Sequence, residues 1–167
     1  MATEPPLEMS VQHEGLDALL AALRAEEDGK ELRKQLAKDL RQALKPAADQ
    51  AKSGIMSMAS AGPGTAPALR PAIAKRIRPE VKLGGRWTGA RLKSKRTPNI
   101  RNFPNAPKRT QAADGWRTDT FGRGEWRVQQ GRVDWFDKAI AGDQAKYRAA
   151  CQEILEQLAA RIATRAR

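Results

Sequence analysis

Residues 135–163 read WFDKAIAGDQAKYRAACQEILEQLAARIA. Phe136, Ile140, Tyr147, Cys151, Ile154, Leu155, Leu158 and Ile162 recur there at helical spacing with charged and polar residues between them, which predicts one amphipathic helix from Asp137 to Ala163. A helix with a single apolar stripe has to lay that stripe on another element. Trp135-Phe136 opens the segment, and the pair is expected to pack the helix onto a preceding sheet. Cys151 lies on the stripe among apolar neighbours, so it reads as a packed thiol rather than a nucleophile.

Upstream, Glu125-Trp126-Arg127-Val128-Gln129-Gln130 alternates and predicts a strand with Trp126 and Val128 on one face. Val81-Lys82-Leu83 and Arg86-Trp87 onward to Arg91-Leu92-Lys93 predict two more strands around a Gly84-Gly85 hairpin turn. Between Thr97 and Gly115 lie three prolines with several Asn, Lys and Arg residues, the composition of a long exposed loop. A short helical turn is expected from Ala68 to Lys75.

The N-terminal third is helical by pattern. Leu16, Leu19, Leu20 and Leu23 mark a first short helix, interrupted at Asp28-Gly29, and Leu32, Leu36, Leu40 and Leu44 mark a second. Pro46 predicts a kink, after which Ala47, Ala48 and Ala51 continue helically towards Met58. The fold class expected is α+β: kinked amphipathic helices, a small antiparallel sheet with a long basic loop, and a closing helix. As one domain overall it divides into an arm (1–10), a helical region (11–60), a linker (61–67) carrying Ala61-Gly62-Pro63-Gly64-Thr65, a basic sheet-and-loop region (68–134) and the C-terminal helix (135–167).

The chain has 167 residues and a net charge of +12. The stretch from Arg70 to Arg132 holds 17 Lys/Arg against 4 Asp/Glu, while the flanks hold 14 against 15, so the whole excess belongs to one region. Such a segment repels itself unless an anionic partner answers it, and nucleic acid or an acidic protein surface is the expected partner. No stretch approaches the ~18 apolar residues of a membrane span, and the acidic start, with its Pro5-Pro6, does not resemble a secretory leader. No membrane partner is therefore expected.

Counting excludes most catalytic constellations. One cysteine cannot form an internal disulfide, and the single histidine, His13, leaves almost no ligands for zinc and no second imidazole for acid–base work. No phosphate-cradling loop ending Gly-Lys-Ser/Thr is present, and Gly84-Gly85 and Phe121-Gly122-Arg123-Gly124 read as turns. Asp114, Asp119, Asp134 and Asp137 lack the spacing of a magnesium site and sit among arginines. The expectation is a non-enzymatic protein without metal or cofactor.

Trp87, Trp116, Trp126, Trp135, Phe103, Phe121 and Phe136 place seven of the eight aromatic residues in or just after the basic segment. They serve either as a stacking platform for single-stranded nucleic acid or as the core and subunit contacts of a thin sheet. The second is preferred, because Trp135-Phe136 sits where it would join helix to sheet.

The run Gly115-Trp116-Arg117-Thr118-Asp119-Thr120-Phe121-Gly122, followed by Trp126, Gln130, Trp135-Phe136 and the last helix, resembles the head-to-tail connector, or tail-completion, proteins of long-tailed (siphovirus-type) bacteriophages, particularly those of actinobacterial hosts. Leu23-Arg24-Ala25-Glu26 to Lys30-Glu31-Leu32-Arg33-Lys34 is similar to that family's opening, and together these runs cover about two thirds of the chain. Arg117-Thr118-Asp119-Thr120 stands where the family carries a His-Pro pair, so no role of that pair transfers. The resemblance implies a virion structural subunit, assembled in the host cytoplasm, that forms a ring of six or twelve copies at the neck around the DNA channel. Its neighbours would be portal-adaptor, neck and tail-tube or tail-terminator proteins, with nonspecific contact to genomic DNA. On that reading Arg91, Lys93, Lys95, Arg96, Arg101, Lys108 and Arg109 face the channel or an acidic partner. Trp87, Trp116, Phe121, Gly122, Trp126, Gln130, Trp135 and Phe136 serve the core or the assembly. The alternative is a monomeric basic nucleic-acid-binding protein, a packaging or regulatory factor.

Overall fold

The computed structural model describes residues 8–11, 15–59, 68–97, 103–119 and 124–165. They form β1 (Glu8–Val11), α1 (Leu16–Ala25), α2 (Gly29–Ala43), α3 (Lys45–Met56), α4 (Leu69–Arg76), β2 (Ile77–Lys82), β3 (Gly89–Ser94), α5 (Ala106–Arg109), β4 (Trp116–Asp119), β5 (Trp126–Gln129), α6 (Trp135–Ala141) and α7 (Gln144–Arg165). The mixture of helices with small antiparallel hairpins is the expected α+β class. One sheet has the order β1-β3-β2 and the other is the β4-β5 pair. The chain divides into two compact units that each draw on separated stretches. One takes Asp49–Ile77 and Lys93–Gly142, the other Glu8–Ala48, Arg78–Leu92 and Asp143–Arg167.

In the second of these units α1, α2 and α7 pack on one another. Leu16, Leu20 and Leu23 of α1, Leu32, Leu36 and Leu40 of α2, and Tyr147, Cys151, Leu155 and Ile162 of α7 supply the buried stripes. These steps of three and four are the period that puts side chains on one helical face. Gly29 permits the tight α1–α2 turn, because a Cβ there would lie 1.8 Å from the Leu23 carbonyl oxygen. At the end of α7, Arg165 Nη1 reaches Asp28 Oδ1 at 2.9 Å and Glu26 Oε2 at 3.8 Å. The expected kink is present: α2 stops at Ala43, Leu44 is a turn residue, and Pro46 occupies the first turn of α3.

The other unit is built around Ala51, Ile55, Ile73, Ile77, Trp135, Phe136 and Ile140, all buried. Gly54 lets α3 approach α6 closely, a Cβ at that position standing 3.0 Å from Ala139 Cβ and 3.3 Å from the Trp135 carbonyl oxygen. Trp135 and Phe136 meet edge-on with ring centroids 5.7 Å apart, the geometry aromatic quadrupoles favour.

Four expectations need correction. The C-terminal helix is two helices, α6 and α7, separated at Gly142-Asp143 and belonging to different units. Glycine and aspartate are poor helix formers, and each half buries its own stripe separately. The stretch from Thr97 to Gly115 is not an exposed loop throughout: it contains α5, and Thr97, Ala106, Pro107, Thr110, Gln111 and Gly115 are buried. Thr97 accounts for part of this, since its amide donates to the Pro104 carbonyl at 3.0 Å and its hydroxyl to the Phe103 carbonyl at 2.8 Å. In the β2–β3 hairpin the connection spans residues 83–88, so Leu83, Arg86 and Trp87 are turn rather than strand residues. The linker 61–67 and residues 1–7 of the arm lie outside the described residues, while residues 8–10, expected as part of a flexible arm, belong to strand β1 of the β1-β3-β2 sheet.

Candidate functional site

The cations of the basic segment fall into two groups according to what answers them. Around the β2–β3 hairpin, Arg91 is fully engaged. Its guanidinium meets Glu80 Oε2 through Nη2 at 2.7 Å and Nε at 2.8 Å, while its Cζ lies 4.0 Å from the Trp87 ring centroid. Lys82 Nζ approaches the same ring at 5.4 Å. Trp87 is thus half-buried under cations and braces the hairpin through cation–π attraction. Arg33 Nη2 donates to the Leu83 carbonyl at 2.6 Å, tying α2 to that turn.

In the other unit, Arg109 Nη1 lies 3.4 Å from Asp114 Oδ2. Lys93, Lys95 and Lys108 are half-buried and Arg96 is exposed. Arg101, Phe121 and Gly122 lie outside the described residues. The second group is Lys75, Arg78, Arg86, Arg96 and Arg117, exposed side chains with no acidic partner among the described residues; Arg132, also exposed, donates to Ser57 Oγ at 3.3 Å. Of the cations singled out from sequence, Arg96 alone belongs to this group, because the pairing of Arg91 with Glu80 and of Arg109 with Asp114 could not be seen in linear order.

The aromatic residues separate just as clearly. Trp135 and Phe136 are core, 1% and 0% exposed. Trp116 is half-buried against Phe103, with centroids 5.6 Å apart. Trp126 is 59% exposed and its face-mate Val128 is 62% exposed, so the core half of Trp126's expected role falls away and it stands on the surface. A stacking track for single strands needs successive accessible rings. Among the described tryptophans, only Trp126 offers one.

The β4–β5 hairpin that carries Trp126 is held at its base. Its register pairs Trp116 with Gln129, Arg117 with Val128, Thr118 with Arg127 and Asp119 with Trp126. Gly115 has φ +62, and a Cβ there would meet the Gln129 carbonyl oxygen at 2.0 Å; a Cβ on Gly131 would meet the Thr110 carbonyl oxygen at 2.1 Å. Gln130, exposed, donates through Nε2 to the Ala113 carbonyl at 3.3 Å.

Sequence reading missed Thr110 and Gln111, which lock the N-terminus of α6. Gln111 Oε1 accepts from the Phe136 amide at 2.8 Å, and its Nε2 donates to Asp137 Oδ2 at 2.5 Å. Thr110 Oγ1 accepts from Trp135 Nε1 at 3.1 Å and donates to the Ala106 carbonyl at 2.8 Å. Asp134, the residue before α6, is left-handed at φ 56, and its amide donates to the Gln111 carbonyl at 3.0 Å. Nothing in a pattern of apolar periods marks partners 25 or 26 residues apart.

The four aspartates weighed as a metal cluster have separate tasks. Asp114 faces Arg109, Asp119 accepts from the Gly124 amide at 3.0 Å, Asp134 precedes α6 and Asp137 accepts from Gln111. No group of three metal-ligating side chains occurs among the described residues. Cys151 is buried and its thiol is pushed up to about 11 by desolvation, which leaves it protonated and unreactive near neutrality. No helix among the described residues is long and apolar enough to cross a membrane. No family model, curated protein or solved structure matches the chain.

Proposed function

We propose that this chain is a non-enzymatic assembly subunit of the kind its sequence resembles: a virion structural protein that forms a ring at the neck of a long-tailed bacteriophage. The observation that carries the reading is the set of exposed cations, Lys75, Arg78, Arg86, Arg96 and Arg117, left without acidic partners among the described residues. Such charges give long-range attraction and register with an acidic neighbour more than they give tight binding. Around a DNA channel, the same dispersed charges attract the duplex weakly per contact and in a salt-screened manner, which permits passage. Three other cations are answered within the protein, Arg91 by Glu80 and Trp87, Lys82 by Trp87 and Arg109 by Asp114.

Mass spectrometry of purified particles from the phage that encodes the chain, with cryo-electron microscopy of their necks, tests this. The expected result is stoichiometric presence and ring density between head and tail tube. Absence from purified particles overturns the reading, as does a monomer that binds short oligonucleotides with a steep salt slope, the signature of the regulatory or packaging alternative.

A further inference from the structure

Two arginines from outside the cationic stretch converge on the β2–β3 connection. A Cβ on Gly84 would stand 3.7 Å from Arg24 Nη2 and 4.0 Å from Arg33 Nη2. One guanidinium comes from the last turn of α1 and the other from α2, and both helices and the connection belong to the same compact unit. Arg33 is fixed there by its bond from Nη2 to the Leu83 carbonyl, which leaves Nε and Nη1 without a partner among the described residues. Arg24 is exposed and has no hydrogen bond or ion pair among them.

The acids of the same unit are engaged elsewhere. Glu26 and Asp28 face Arg165, Glu31 faces Lys34, Asp39 accepts from Gln35 and Glu80 holds Arg91. Glu27 is exposed and makes no ion pair among the described residues. Two like charges gathered at one point repel until an anion joins them. The connection adds donors of its own. Gly84 and Gly85 have φ +132 and +96, which glycine adopts without steric cost. The bend over 83–86 is closed by no backbone hydrogen bond among the described residues, so its amides are available. A Cβ on Gly85 would meet nothing within 4 Å, so the bend is open on that side.

We infer that Arg24, Arg33 and the Gly84-Gly85 bend form a binding site for a phosphate group. A carboxylate presents two oxygens in one plane, which a single guanidinium fork satisfies. Donors arriving from two helices and a bend instead surround a tetrahedral oxyanion, and backbone amides at a sharp turn commonly complete such a site. Two guanidinium charges match the charge of about −1.5 to −2 on a phosphate monoester near neutrality. The site is tertiary, unlike a Walker loop, because the fold brings its parts together from three separate elements. Free phosphate and the phosphodiester of a nucleic acid share this chemistry.

Amide and arginine Nε–H spectra of the isotope-labelled full chain, titrated with inorganic phosphate at constant ionic strength, test the site. Saturable shifts are expected at Gly84, Gly85, Arg86 and the Arg24 and Arg33 side chains, with an affinity on the order of millimolar. Arg24→Gln removes one charged fork and should weaken binding about fivefold or more. Arg148→Gln removes the same charge from an exposed position about 25 Å along α7 from Arg165, which meets the α1–α2 turn, and should leave binding within about twofold. Circular dichroism melts confirm that both variants fold. Acetate should bind at least ~5-fold more weakly than phosphate. A short DNA duplex separates the two sources of phosphate. Shifts at the same groups, lost in Arg24→Gln, assign the nucleic-acid backbone, whereas phosphate binding without a response to the duplex assigns free phosphate. Three results overturn the proposal: no saturable shift up to about 50 mM phosphate, an Arg24→Gln variant that binds like Arg148→Gln, or acetate binding as tightly as phosphate, which would assign the site to carboxylates of a protein partner. The site does not depend on the neck reading, which the particle experiments above test separately.

Discussion

Tryptophans of one sequence neighbourhood differ most at the level of the single residue. Trp135 is 1% exposed, hydrogen-bonds Thr110 and packs edge-on against Phe136. Trp135→Ala should cost ~3–5 kcal/mol, since a large buried aromatic is removed and a cavity remains. Trp126→Ala should shift stability by no more than about 0.5 kcal/mol, as for other exposed substitutions; urea unfolding of the two variants at a concentration where the chain is monomeric checks both. Cys151 makes a pH prediction. Desolvation raises its folded-state value from 9.0 to about 11, so between those values the unfolded chain has lost a proton that the folded one keeps. Stability from this group is therefore fully present below pH 9 and is lost as pH rises through about 11. Burial, and to a lesser extent Asp143, raises Tyr147 as well, which adds a loss of the same sign. The urea midpoint should fall on the alkaline side, and less steeply in Cys151→Ala than in wild type.

Elements show which parts of the fold local pattern can specify. Leu16 to Leu44 yields α1 and α2 because the steps of three and four mark a helix and its buried face by themselves, whichever element that face then meets. Pro46 and β5 are legible for similar reasons of local backbone chemistry. The α6–α7 break is not, because the stripe continues in register across Gly142-Asp143 and only the partners of the two halves differ. The packing of residues 103–115 is equally hidden. Its composition is that of a loop, and the bonds from Thr110 and Gln111 that bury it reach residues far along the chain. For the site, the charge excess is readable, but which cations are free depends on Glu80 and Asp114, whose pairings follow from the fold. Gln111→Ala tests the α6 lock: it leaves the Phe136 amide, now buried with an acceptor, without one. The cost expected is ~1–3 kcal/mol for an unsatisfied buried donor. Hydrogen exchange at Phe136 should accelerate by more than at Tyr147 in α7, which a uniform loss of stability would not produce.

For the whole molecule, charge and compactness partition the chain differently. The cationic excess lies in one continuous stretch, Arg70 to Arg132, whereas the compact units are assembled from separated stretches, with divisions inside α3, β2 and β3. A segment defined by its charge is therefore not a folding unit. Residues 68–134 contain Ile73, Ile77, Ala106 and Thr110 of the unit that takes Asp49–Ile77 and Lys93–Gly142, yet the side chains that complete that unit's interior from outside the range are Ala51, Ile55, Trp135, Phe136 and Ile140. Removing them exposes apolar surface worth about 25 cal/mol per Å² and leaves Thr110 and Gln111 without the α6 groups they bind. An excised 68–134 fragment, self-repelling through its net positive charge and stripped of its largest core side chains, is expected to be unfolded. Circular dichroism without a cooperative melt, and amide proton shifts collapsed into the random-coil range, would be the result. A fragment with dispersed shifts and a sigmoidal melt would mean that the basic stretch carries its own core. The basic surface is thus predicted to exist only on the intact chain, where the N-terminal helices and α6–α7 supply the apolar faces that the stretch between them lacks.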